Sequence, residues 1–146
     1  SAWSYSTWSQ NNGTEGAIGS HMILGIGTDI VEIARMSQAL DNFGARFARR
    51  ILTEEEMLEF DRQSAPEVFV AKRFAVKEAA AKALGTGFSH GVSWHHIEVT
   101  HDELGAPGLK FSGKALELQQ QKGISNLHVS LSDERDYVVA YVILES

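Results

Sequence analysis

Two carboxylates, Asp29 and Glu78, have the residue type and surroundings that could support metal chemistry. Asp29 follows the glycine-containing apolar segment 25–28, where a lone carboxylate is costly to bury without a partner. It could cap the helix that follows. It could also be a ligand for Mg²⁺, which takes one or two protein carboxylates and completes its shell with water and phosphate oxygens. The spacing alone leaves both interpretations open.

Glu78 and Lys82 lie one turn apart in an alanine-rich helical segment, and Gly85, Thr86 and Gly87 follow it directly. The two charged residues form an ordinary i to i+4 helix pair, and a salt bridge explains them without any function. A carboxylate, an ammonium and a flexible loop on one side could also bind a diphosphate. Because the loop follows the helix C-terminus, the dipole does not favour an anion there. A phosphate would therefore need Lys82, loop amides and a metal.

A cluster of arginines follows the first apolar segment, within a stretch whose single acid is Asp41. Its members are Arg35, Arg46, Arg49 and Arg50. Such a cluster is commonly a solvated helix face. It could also be a docking surface for an acidic macromolecule, with binding that weakens as salt rises.

The composition excludes several classes of protein. The chain has 146 residues, 43% of them hydrophobic, which suits one globular domain. The absence of cysteine excludes disulfide scaffolds, Cys-ligated zinc, iron–sulfur clusters and thiol nucleophiles. A net charge of −6 argues against general nucleic-acid binding. No long apolar span or signal peptide is evident, so we expect a cytoplasmic protein.

The histidines and glycines do not form recognised ligand motifs. Five histidines, none with helical metal-ligand spacing, are expected to be structural or on the surface: His90, His95, His96, His101 and His128. We expect His95 and His96 to point to opposite faces of a strand, and His128 to point away from the core. Neither a Walker A motif nor the G-x-G-x-x-G fingerprint is present.

Periodicity and capping signals predict an α+β fold with a largely antiparallel sheet packed on a long central helix. Residues 1–21 are expected to be a tail added for expression, which leaves 22–146 as the domain. Thr53 and Glu56 form a capping-box pattern. The predicted elements are a buried strand from 23 to near Asp29, a helix over 33–51 divided at Gly44, helices over 53–62, 68–84 and 112–122, and strands over 94–100, 109–111, 127–132 and 137–144.

Residues 22–146 resemble the bacterial holo-acyl-carrier-protein synthases, which are group I 4′-phosphopantetheinyl transferases. The resemblance is carried by GIGTDIVE at 25–32, by FAVKEAAAKALGTG at 74–87 and by VSLS at 129–132. It implies transfer of 4′-phosphopantetheine from coenzyme A to a serine of apo-acyl carrier protein, releasing adenosine 3′,5′-bisphosphate. It also implies a role in fatty acid biosynthesis and a homotrimer with active sites at the subunit boundaries.

The resemblance also implies roles for individual residues. Asp29 and Glu78 fall on Mg²⁺-binding positions, with Glu78 and Lys82 as the catalytic pair. Positions that contact coenzyme A or line its cleft are Arg73, Lys82, Gly85, Thr86 and Gly87. Arg35 falls on a carrier-docking position, and the acidity of carrier proteins gives Arg46, Arg49 and Arg50 the same partner. Asp133 departs from relatives that carry His there.

Two other functions and the identity of the general base stay open on the sequence. A non-catalytic module could bind the carrier protein or a nucleotide without transfer. A magnesium-dependent phosphohydrolase could use the same carboxylates. In the transferase, Glu78 acting through water and a metal-bound hydroxide are both candidates for the base.

Overall fold

The computed structural model describes residues 21–146, so the expected tail lies outside the described residues except for His21. Its elements, in chain order, are β1 (Ile23–Glu32), α1 (Ile33–Phe43), α2 (Ala45–Ile51), α3 (Glu54–Phe60), α4 (Pro66–Leu84), a 3₁₀ turn (Trp94–His96), β2 (Ile97–His101), β3 (Pro107–Phe111), α5 (Gly113–Gln121), β4 (Asn126–Asp133) and β5 (Tyr137–Glu145). This order confirms the predicted α+β class.

Helix α4 is the centre of the fold. Pro66 occupies its first turn, where a missing N–H costs nothing, and Gly85 ends it in a left-handed conformation with φ 81°. Most of its side chains are buried around the whole circumference, which is typical of a helix enclosed by other elements. The predicted helix 68–84 is therefore confirmed and begins two residues earlier, at Pro66.

The strands form a three-stranded antiparallel sheet in the order β1-β5-β4 and a separate β2-β3 hairpin. The inner face of the larger sheet packs on α4 with fully buried residues such as Val138, Ala140 and Val142. Its outer sheet face carries Ile26, Ile30, Val139, Tyr141 and Ile143, with Ile26 paired to Ile143 and Ile30 to Val139. Ile26 is 61% exposed and Ile30 64%, so a large apolar surface faces outward.

Glycines in β1 let its backbone lie directly on α4. A Cβ added to Gly27 would come within 1.8 Å of the Ala79 carbonyl oxygen, and one at Gly25 within 2.1 Å of that of Ala83. The Gly25-x-Gly27 pattern is thus a packing device. The prediction that this strand is buried and ends near Asp29 is wrong, because pairing with β5 continues to Glu32 and one face is exposed.

Local hydrogen bonds determine the conformation of the segments that connect the main elements. The Thr53 and Glu56 capping box is present, and Gly44, with φ 58°, divides α1 from α2 as predicted. The strand predicted from residue 94 is wrong over its first three residues. There the Ser93 hydroxyl accepts from the His95 amide, and such side-chain bonds compete with a strand ladder.

Candidate active site

Asp29 and Lys82 meet where β1 crosses α4. Asp29 lies on the inner face of the sheet opposite Ala140, and Lys82 Nζ donates to its Oδ1 at 3.1 Å and to the Thr28 carbonyl at 3.0 Å. The next helix begins at Ile33 with Glu32 as its N-cap, so the capping interpretation of Asp29 is excluded. Lys82 therefore links the central helix to the strand.

Glu78 is a buried carboxylate with unmet bonding capacity. The residue is 5% exposed, and its Oε2 has no hydrogen-bond partner. Burial, followed by the negative charge of Asp29, raises its pKa to about 7, and the charge of Lys82 limits the rise. Burial also raises the pKa of Asp29, against the hydrogen bond and charge of Lys82. The pair thus favours a bound proton or cation.

The donor set fits Mg²⁺ better than zinc. Within residues 21–146, no group of three or more His, Asp or Glu side chains could hold a metal. Mg²⁺ does not need such a cage, because one or two carboxylates plus substrate phosphates suffice. The unpartnered Oε2 of Glu78 beside Asp29 provides the hard oxygen ligands that this ion requires.

The amides of the loop 85–87 are already bonded. The Gly85 amide donates to the Lys82 carbonyl, and the Thr86 and Gly87 amides donate to that of Ala81, at 3.3 and 3.1 Å. These bonds satisfy the last carbonyls of α4 in the manner of a C-terminal cap. In this conformation the loop amides cap the helix and are not available to a phosphate. Of the groups proposed for phosphate binding at the C-terminal end of α4, Lys82 is the one that carries a positive charge.

Arg73 lies in a different polar cluster from the carboxylate pair. Its guanidinium donates to Glu59 at 2.8 Å, lies 3.5 Å from Glu56 and stacks over the Phe69 ring at 4.5 Å. Arg73 is 5% exposed, and its Nε has no hydrogen-bond partner. The structure therefore brings Asp29 and Lys82 together with Glu78, but ties Arg73 to α3.

The sequence analysis missed the buried pair formed by Lys77 and Glu56. Lys77 is fully buried and donates to Glu56, to the Ile51 carbonyl at 2.7 Å and to the Trp94 carbonyl at 3.3 Å. Burial lowers its pKa, although Glu56 counteracts this. The capping-box pattern indicated only the local role of Glu56. The pairing depends on tertiary structure that no local spacing shows.

All four arginines of the early cluster are exposed on α1 and α2. Within the part of the chain that the structure describes, their guanidinium groups form no ion pairs. Phe43, 62% exposed, lies between Arg35 and Arg46 in the chain. The surface is thus basic with an apolar spot.

The histidines fill structural or surface positions. His95 belongs to the 3₁₀ turn and its Nε2 donates to the Arg49 carbonyl at 2.7 Å. His128 is exposed, as predicted, and contacts Glu145 at 3.2 Å. An open cleft of about 950 Å³ lies between α2, α3 and the β2-β3 hairpin, and Asp29, Glu78 and Lys82 do not line it.

At the crossing of β1 and α4, the buried Glu78, the partly buried Asp29 and Lys82 form a set of groups that could hold a divalent cation together with a phosphate ester. The family model described as the 4′-phosphopantetheinyl transferase superfamily matches residues 25–142. The chain therefore belongs to the 4′-phosphopantetheinyl transferase superfamily.

Its relatives are holo-acyl-carrier-protein synthases. The enzyme of Pectobacterium atrosepticum is 54% identical over 124 residues, covering 85% of this chain and 98% of the relative. The Neisseria meningitidis structure is 48% identical with a TM-score of 0.80, covering 86% of this chain and all of that one. A Bacillus anthracis synthase in complex with coenzyme A (3′,5′-ADP) is 41% identical with a TM-score of 0.71, covering 86% and 98%.

Proposed function

We propose that this protein transfers 4′-phosphopantetheine from coenzyme A to a serine of apo-acyl carrier protein. The products are holo-acyl carrier protein and adenosine 3′,5′-bisphosphate. The observation that carries the proposal is the cluster of Asp29, Glu78 and Lys82, in a chain whose relatives are holo-acyl-carrier-protein synthases. The reaction would support fatty acid biosynthesis.

Asp29 and Glu78 would hold Mg²⁺ together with the diphosphate of coenzyme A. When bound, the ion would neutralise charge on the phosphate oxygens during the transfer. Glu78 presents its unpartnered Oε2, and the burial of Glu78 and partial burial of Asp29 strengthen their attraction for a cation. Lys82 holds Asp29 in place and supplies a positive charge at the same point.

Coenzyme A contacts would come from Lys82, from the loop of Gly85, Thr86 and Gly87, and from Arg73. Because the loop amides cap α4, they would not donate to coenzyme A. The loop would instead contact coenzyme A by packing against it and through the Thr86 side chain. Arg73 is held by Glu59, whose carboxylate occupies the position of an anion on the guanidinium. A phosphate would reach Arg73 by displacing that half-exposed side chain.

The arginines of α1 and α2 would dock the carrier protein. The guanidinium groups of these arginines are exposed and form no ion pairs within residues 21–146, so their charges are available to an acidic surface. The residues are Arg35, Arg46, Arg49 and Arg50. Such pairing gives orientation and fast association, and it weakens with added salt.

The outer sheet face supports a homotrimer. Exposed apolar patches of this kind mark interfaces between proteins, and Ile26, Ile30 and Tyr141 are each more than half exposed. We further propose that the protein acts in the cytoplasm, where its substrates occur. Within residues 21–146, no helix is long and apolar enough to cross a membrane.

Mass spectrometry of the carrier protein tests the transfer. Apo-acyl carrier protein, coenzyme A and Mg²⁺ are incubated with the protein, and the carrier should gain one phosphopantetheine. Asp29→Ala should abolish the gain while the protein stays folded by circular dichroism. A carrier of unchanged mass would refute the transferase and favour a binding module. Free 4′-phosphopantetheine produced without any carrier would indicate a phosphohydrolase instead.

A further inference from the structure

The buried ammonium of Lys77 joins four parts of the fold at one point. Its three protons meet the Ile51 carbonyl, the Glu56 carboxylate and the Trp94 carbonyl. Glu56 in turn accepts from the Val99 amide at 3.2 Å. One lysine on α4 therefore fixes α2, α3, the 3₁₀ turn and β2.

One of these bonds and a bond from His95 in the 3₁₀ turn hold the C-terminal end of α2. The last carbonyls of a helix lack partners within it. Lys77 satisfies that of Ile51, and His95 satisfies that of Arg49, at 2.7 Å in each case. The segment bound in this way includes Arg49 and Arg50, two arginines of the docking surface. Its orientation is thus set from α4.

The residue after Lys77 is Glu78, the buried carboxylate with an unpartnered oxygen. The anchor of α2 and the proposed metal ligand are therefore consecutive residues of α4. Transfer needs the carrier serine, docked on α1 and α2, to reach a diphosphate held at Glu78. A misplacement of about 1 Å between reacting groups can cost about 100-fold in rate.

We propose that Lys77 is a positioning residue that fixes the docking helix α2 at a set distance from the carboxylate of Glu78. The proposal rests on the docking role proposed above. A buried charged pair is weak evidence for stability, because apolar residues of similar volume often serve as well. Lys77 supplies what an apolar side chain lacks, namely hydrogen bonds to the carbonyls of Ile51 and Trp94.

The variant Lys77→Met tests this role by removing the ammonium and keeping much of the volume. The kcat/KM for apo-acyl carrier protein should fall about 10- to 100-fold. The affinity for coenzyme A with Mg²⁺, measured by calorimetry, should change little because Asp29, Glu78 and Lys82 remain. Lys72→Met is the matched control: it removes a lysine from the same helix that pairs with Asp133 at the surface.

The double variant Glu56→Gln/Lys77→Met separates positioning from stability. It removes the buried Glu56 charge, which Lys77→Met leaves with Arg73 at 3.5 Å as its cationic partner, so stability should recover. The carbonyls of Ile51 and Trp94 still lack the Lys77 ammonium, and that of Trp94 keeps its bond from the Ile97 amide. Continued loss of carrier turnover supports the proposal. Recovery of turnover in the double variant overturns it. A parallel loss of coenzyme A affinity also overturns it, because Lys77 would then act on the coenzyme A site.

Hydrogen exchange gives a readout that does not depend on transfer. In Lys77→Met the amides of residues 45–52 should exchange faster, and those of β5 should not. Unchanged exchange in α2 overturns the inference even if transfer is confirmed. A parent protein that modifies no carrier refutes the proposed function, and faster exchange confined to α2 would still support the anchoring of that helix by Lys77.

Discussion

At the scale of single residues, the site depends on a carboxylate that the fold keeps from water. The residue types of Asp29 and Glu78 made metal binding one of two open interpretations, and only the family resemblance assigned both residues to a metal, which stays a prediction. Two facts could not be predicted from the sequence. The ion pair of Lys82 with Asp29 joins residues far apart in the chain, and the buried state of Lys77 depends on carbonyls of other elements.

The raised pKa of Glu78 predicts a pH-dependent cost to the fold. The native state keeps the proton up to a pH of about 7, whereas the unfolded chain releases it near the ordinary pKa of 4.5. Without Mg²⁺, stability should therefore fall as the pH rises between these values. Glu78→Gln should raise the free energy of unfolding at pH 8 by up to about 3 kcal/mol, with little change at pH 5.

Urea denaturation of both proteins at pH 5 and pH 8 measures this difference. Glu117→Gln is the control, since it removes an exposed carboxylate from α5. A stability difference between parent and Glu78→Gln that is the same at both pH values would contradict the prediction. Adding Mg²⁺ should reduce the advantage of the variant, because the ion stabilises the ionised carboxylate of the parent.

At the scale of elements, local signals predicted most helices and failed where packing decides. Gly44, the capping box at Thr53 and the proline-to-glycine limits of α4 were readable, because each depends on neighbours in the chain. The length of β1 and its exposed face depend on pairing with β5, at the other end of the sequence. The segment that begins at Trp94 has the two-residue alternation typical of a strand, so the sequence predicted a strand where the structure has a 3₁₀ turn.

The contact between β1 and α4 makes Gly27 indispensable. Gly27→Ala would place a methyl group 1.8 Å from the Ala79 carbonyl oxygen, so the strand carrying Asp29 must shift. We expect a loss of about 3 kcal/mol or more in the free energy of unfolding. Chemical denaturation followed by circular dichroism measures it.

Gly123→Ala is the matched control for this contact. Gly123 has φ +68°, and nothing lies within 4 Å of an added Cβ. The substitution costs only the backbone strain of a left-handed alanine, roughly 1–2 kcal/mol. Equal losses in the two variants would show that close packing of β1 on α4 contributes nothing specific.

At the scale of the whole molecule, two different surfaces are proposed to bind two different partners. The exposed arginines on α1 and α2 suit an acidic carrier, whereas the outer sheet face exposes apolar side chains such as Ile26, Ile30 and Tyr141. The sequence analysis predicted the homotrimer from the resemblance alone. The fold adds a physical reason, because the inner face already packs on α4 and the outer face has no partner within residues 21–146.

A charge placed on the outer sheet face should separate the subunits. Ile30 is 64% exposed and lies opposite Val139 across the β1-β5 pair, so Ile30→Lys would bury an ammonium in the proposed interface. Light scattering after gel filtration should give the mass of a trimer for the parent and a smaller mass for the variant. Leu58→Lys, at a residue 58% exposed on α3, should remain a trimer. A parent that elutes with the mass of one chain at micromolar concentration would contradict the assembly, and Ile30→Lys should then behave like the parent.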